Sequence, residues 1–90
     1  MNTLEELEVR REQAKESPVW TGDLDDDCTA RWAGFLLRAE EMERGSWWFS
    51  VTDLPSGSVI HDSDRVGRRI DSASSARQEC ERAVIRFLNL

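Results

Sequence analysis

Ninety residues make one domain near the lower limit of what a single core can stabilise unaided, and 39% of them are apolar, fewer than in an average globular domain. A net charge of −6 excludes tight duplex binding by the surface as a whole, because phosphate neutralisation dominates such affinity. Four Trp and three Phe offset the thin apolar fraction and exclude disorder throughout, since each large aromatic buries roughly 150–250 Å². A homodimer or an obligate partner is a further way to complete the core.

Two cysteines, Cys28 and Cys80, are too few for a disulfide framework. The chain opens on no charged-then-apolar leader, and its longest apolar runs are a few residues. The expectation is a cytoplasmic protein without membrane association, both thiols free and buried. Charge is polarised: residues 1–64 carry six basic and fifteen acidic side chains, giving −9, and residues 65–90 carry six arginines against Asp71, Glu79 and Glu81, giving +3. The basic end is expected to pair with the acidic remainder.

Thr3-Leu4-Glu5-Glu6 fits a capping box, and a helix is predicted from Leu4 to Glu16, stopped by the restriction Pro18 places on its predecessor. Its apolar face is thin (Leu4, Leu7 and Ala14, with Val9 displaced), so residues 1–17 are read as a helix that docks weakly or against a partner. Residues 18–27 read as an acidic loop anchored by Trp20, with Thr21-Gly22 as a turn.

Residues 28–44 admit two readings. As a helix, Trp32, Phe35, Leu36, Ala39 and Met42 share one face between an Asp27 cap and Gly45, which gives the order α-α-β-β-α. As a strand over 28–40, Cys28, Ala30, Trp32, Gly34 and Leu36 alternate with Thr29, Arg31, Ala33, Phe35 and Leu37, a pattern suited to cover on both faces. The strand is preferred, because a lone two-stranded hairpin is marginal and Trp47 needs more sheet beside it.

Ser46–Asp53 is the most strand-like stretch of the chain, and Leu54-Pro55-Ser56-Gly57 turns it into a third strand, Ser58–Asp62. Trp47, Phe49 and Val51 are assigned to the core and Trp48, Ser50 and Thr52 to the other face. Asp62 to Ser72 reads as loop. The closing helix, Ser74 to Asn89, places Ala73, Ala76, Cys80, Ala83, Val84 and Phe87 on one face, with Ile85 and Leu88 off it. The predicted fold is α+β, a three-stranded antiparallel sheet packed by the C-terminal helix.

Catalytic chemistry is thinly supplied, and no enzyme activity is expected. His61 is the single histidine, and a nucleophile–base pair with Cys28 or Cys80 would need proximity that spacing alone does not supply. Asp23-Leu24-Asp25-Asp26-Asp27 imitates the start of a calcium loop, but Cys28 and Gly34 stand where that loop needs glycine and glutamate. Asp62-Ser63-Asp64 also fails, with Val66 at the fifth position of such a loop and Ala73 at the twelfth. Two cysteines and one histidine fall short of four zinc ligands, so neither a metal nor another cofactor is expected. Arg65, Arg68, Arg69, Arg77 and Arg82 could frame an anion site near the start of the last helix.

The α-β-β-β-α order resembles the double-stranded-RNA-binding domain, whose closing alanine-rich helix packs on a three-stranded sheet. Ala76-Arg77-Gln78-Glu79-Cys80 and Val84-Ile85 lie where that helix keeps its small and apolar positions. The lysine pair that grips phosphate in that family is replaced by Ser74-Ser75, so the resemblance implies an architecture without the RNA chemistry. The functional expectation is therefore a small acidic protein-binding module of inhibitor, immunity or adaptor type. A basic protein partner would meet Trp48, Ile85 and Leu88. The alternative is a nucleic-acid-binding module using the five arginines.

Overall fold

The computed structural model describes residues 4–90; the Thr3 cap lies outside them. Two helices and five strands follow the order α1 (Leu4–Gln13), β1 (Thr21–Asp23), β2 (Asp27–Trp32), β3 (Phe35–Glu43), β4 (Ser46–Asp53), β5 (Ser58–Asp62) and α2 (Ala73–Phe87), with a single 3₁₀ turn at Ser63–Arg65. Every strand pairs antiparallel with the next, so the sheet is a simple meander. The fold is α+β with a C-terminal helix on the sheet, as expected, but the sheet has five strands where three were predicted.

Both extra strands come from one correction. The strand expected over 28–40 is a hairpin, β2 and β3, and the helical alternative for 28–44 does not form. Trp32 pairs with Phe35 across a two-residue turn whose residues, Ala33 (φ 52°) and Gly34 (φ 82°), are both left-handed. Two positive φ values give a turn whose twist matches that of the flanking strands. β2 then supports a short outer strand, β1, where a loop was expected: Thr21 pairs with Thr29 and Asp23 with Asp27.

The core lies on one side of this sheet. Cys28 and Ala30 from β2, Phe35, Leu37 and Ala39 from β3, and Trp47, Phe49 and Val51 from β4 are buried against Ala76, Cys80, Ala83 and Val84 of α2. Ile70 completes it from the preceding loop, where its carbonyl accepts from the Trp47 N–H at 2.8 Å. Both cysteines are buried and unbridged.

The ends of α2 are set by polar contacts. Ser72 caps the N-terminus, its hydroxyl accepting from the Ser75 N–H at 3.1 Å. Ser72→Ala is expected to cost about 1 kcal/mol, read as a fall in Tm of roughly 4–8 °C. At the other end Asn89 adopts φ 59°, the Leu90 N–H reaches back to the Ile85 carbonyl and the Asn89 N–H to that of Arg86. This left-handed termination swings Leu88 inward, where it is fully buried, and leaves Phe87 partly exposed at the helix edge. The two were assigned the other way round; Leu88 lies four residues from Val84 and eight from Cys80, in phase with the core.

The outer edge of β5 is occupied by its own chain. Arg65 folds back so that its guanidinium donates to the carbonyl of Ile60 at 2.8 Å and that of Val59 at 3.5 Å.

Candidate functional site

Helix α1 joins the core through a charge. Arg10 and Asp53 are 5% and 4% exposed, and the Arg10 Nη2 donates to Asp53 Oδ1 at 2.6 Å. The same guanidinium donates from Nε to the Ala33 carbonyl at 2.8 Å and lies over the Phe35 ring, 4.3 Å from its centroid. The Ser56 hydroxyl donates to the other Asp53 oxygen at 2.6 Å. Burial alone would raise the Asp53 pKa, but the hydrogen bonds from Ser56 and Arg10 outweigh it and hold the carboxyl below its ordinary 3.8. Gly34 belongs to the same construction: a Cβ there would stand 2.8 Å from Arg10 Nε. Helix α1, expected to dock weakly, meets the rest of the fold through this buried ion pair and through Arg11 Nε, which donates to the Leu88 carbonyl at 2.7 Å.

Indole N–H groups tie down the next segment. Trp32 donates to the Glu16 carbonyl at 2.7 Å, and Trp20 donates to Glu81 of α2 at 3.0 Å, which makes it the anchor foreseen for its loop. Both helices and this connection pack on the core side. The residues that alternate with the core strands therefore face away from all of them.

That opposite face is the candidate site. Register places its side chains in three rows: Asp23, Asp27, Glu40 and Trp48; Thr21, Thr29, Arg38, Ser50 and Asp62; and Arg31, Leu36, Thr52 and Val59. The first row puts three carboxylates and an indole side by side across four strands. Arg38 stands over them, with Nη2 3.2 Å from both Asp27 Oδ2 and Glu40 Oε2, and its Cζ 6.0 Å from the Trp48 ring centroid. Its hydrogen bond to Asp27 holds the guanidinium proton more tightly still. Neither α1 nor Trp20 covers Trp48, and its indole N–H has no hydrogen-bond acceptor among the described residues.

Of the other predicted contact residues, Ile85 lies on the helical side, half-buried in a cleft of about 460 Å³ shared with Ala14, Pro18, Trp32 and Arg82. Leu88 is core, so the three candidates do not form one surface.

The five arginines do not converge either. Arg65 holds the β5 edge, Arg69 donates twice to the Gly45 carbonyl at 3.0 and 2.8 Å, and Arg77 donates to the Leu24 carbonyl at 2.8 Å. Arg68 and Arg82 share Glu79, at 3.0 and 3.7 Å. The basic end was expected to pair with the acidic residues 1–64; among the described residues Arg65 alone of the five meets a carboxylate there, Asp62 at 4.0 Å, and the others take Glu79 or backbone carbonyls.

No hydrogen bond joins His61 to either thiol among the described residues. Cys80 Sγ lies 3.8 Å from the Arg38 and Ser50 carbonyls, and burial pushes its pKa far up. Burial also raises Cys28, with Arg77 opposing it by a hydrogen bond. Thiolate, the reactive form, is suppressed at both. His61 instead packs on Phe49, ring centroids 5.4 Å apart. Among the described residues no three His, Cys, Asp or Glu side chains are grouped to hold a metal ion, and no helix is long and apolar enough to cross a membrane. Compared with protein-family models, curated proteins and solved structures, the chain gives no match.

Proposed function

We propose that this chain is a non-catalytic protein-binding module whose partner docks on the uncovered face of the sheet, with Trp48 at the centre of the contact. The observation that carries the reading is that both helices pack on one side, leaving an indole with an unused N–H on the other. Tryptophan is the residue type most enriched among interface hot spots, where a large rigid surface is desolvated at small entropic cost. The carboxylates of Asp23, Asp27 and Glu40 beside it, against one guanidinium, favour a partner that brings Lys or Arg to the rim. Such a module would act by occlusion, as an inhibitor, immunity protein or adaptor does.

The test is a comparison of affinity captures from the native host by wild type, Trp48→Ala and Trp20→Phe. A specific partner should be retained by wild type and Trp20→Phe, and its affinity for Trp48→Ala should fall at least about 30-fold, the effect of losing a hot spot of roughly 2 kcal/mol. Trp48→Ala should melt close to wild type, because the residue is not core. Equal capture by Trp48→Ala and wild type would remove Trp48 from the contact.

A further inference from the structure

We infer that the flank of α1 is a second docking surface, shaped to take a basic amphipathic segment of a protein partner: an apolar side chain flanked by Lys or Arg. This surface lies on the helical side of the sheet, away from Trp48, and does not rest on the reading of the sheet face.

The shape follows from how α1 is held. Its buried residue among those described is Arg10, with Ala14 buried in the turn that follows. With a long guanidinium side chain between helix and sheet, the backbone stands off from the turns below it. Two clefts remain there, of about 670 and 430 Å³, both bordered by Gln13 and Gly34. Each falls within the usual size of a pocket that accepts a side chain or small ligand. Their walls are apolar where they are open: Val9 is 56% exposed, Leu54 40% and Val19 75%, with Pro55 and Trp32 beside them. A ninety-residue chain with few apolar residues leaves Val9 open in the first cleft and Leu54 and Val19 in the second.

Charge identifies the occupant. Val9 has Glu5 one turn before it, and Glu16 follows beyond the helix; both are exposed and border the clefts. The exposed cation on this helix, Lys15, is paired with Glu12 at 2.8 Å. Arg10 is neutralised by Asp53, and Arg11 is turned onto the Leu88 carbonyl. An apolar channel rimmed by carboxylates complements an apolar anchor carried between cations, and repels an acidic segment.

A random peptide library displayed on phage and selected on the full chain tests this. The selected peptides should carry Lys or Arg on both sides of an apolar residue and bind wild type and Trp48→Ala equally. They should lose about tenfold or more in affinity on Val9→Arg and weaken as salt is raised. Val9 is exposed, so Val9→Arg should fold, with an unchanged melting curve as the check. The pair Glu5→Lys with Glu16→Lys reads the same loss without touching the apolar wall. The inference is overturned by a selection that enriches nothing, by peptides without basic bias, or by undiminished binding to Val9→Arg. Peptides whose binding is lost on Trp48→Ala instead would assign them to the sheet face and leave the flank of α1 empty.

Discussion

Asp53→Ala is expected to destabilise the protein by about 3–5 kcal/mol, the usual cost of leaving a buried charge without its partner, and so to lower Tm by roughly 15–30 °C. Truncation removes the acceptor of the 2.6 Å bond from Arg10 and leaves a 5% exposed guanidinium without its carboxylate. The Ser56 hydroxyl loses its acceptor in the same step. Chemical denaturation of Asp53→Ala and of the double variant Arg10→Met, Asp53→Leu separates the terms. The double variant should recover much of the loss, because an apolar pair of similar volume carries no desolvation penalty. A single-variant loss below about 1 kcal/mol would mean that water reaches Arg10 and that α1 is held by other contacts.

The same carboxylate sets an acid limit. Its folded pKa lies below the ordinary 3.8, so the folded state binds its proton less readily than the unfolded chain. The contribution is therefore fully present above the unfolded value and is lost as pH falls from there through the folded one. Stability measured from pH 6 down to 2 should fall most steeply below about pH 4, and Asp53→Asn should lack that part of the slope.

Phe35→Ala should cost about 3–5 kcal/mol as well, for a different reason. The ring is fully buried, meets Phe87 edge-on with centroids 5.2 Å apart, and carries the Arg10 cation on its face. Truncation opens a cavity and strips the guanidinium of its aromatic support, an interaction of roughly 0.5–2 kcal/mol. Phe87→Ala, at an exposed edge, should cost well under half as much. Because Phe35 and Asp53 act on the same guanidinium, their losses should not add. A double variant additive to within about 0.3 kcal/mol would show that ring and carboxylate act independently.

The elements with strong period were legible. β4 and β5 run over the predicted residues, and α2 differs from its predicted span by one residue at its start and two at its end. The hairpin at 33–34 was hidden by its own symmetry. Apolar residues sit at even positions through Trp32 and at odd positions from Phe35, and this shift of parity resembles a strand covered on both faces. It is in fact the mark of a two-residue turn, concealed because Ala stands where Asn or Asp is usual. The anchoring of α1 was harder. Arg10 lies in phase with Leu7 and Ala14, and Asp53 in phase with Phe49 and Val51, so a cation and an anion each occupy a core-phase position. Either alone reads as the solvated end of its element; they make sense as a pair, forty-three residues apart. The candidate site was half legible. Alternation along β4 separated Trp48 from the core, but the row it forms with Glu40, Asp27 and Asp23 depends on the register of strands not recognised as separate.

Arg65 gives the sheet a direction of use. With its guanidinium donating to the carbonyls of Ile60 and Val59, Arg65 occupies part of the β5 margin on which a visiting strand would otherwise pair. On the reading proposed above, recognition falls to side chains of the open face, which are not needed to fill the core. Residues such as Trp48, Glu40 and Leu36 can change one at a time while the opposite side keeps its packing.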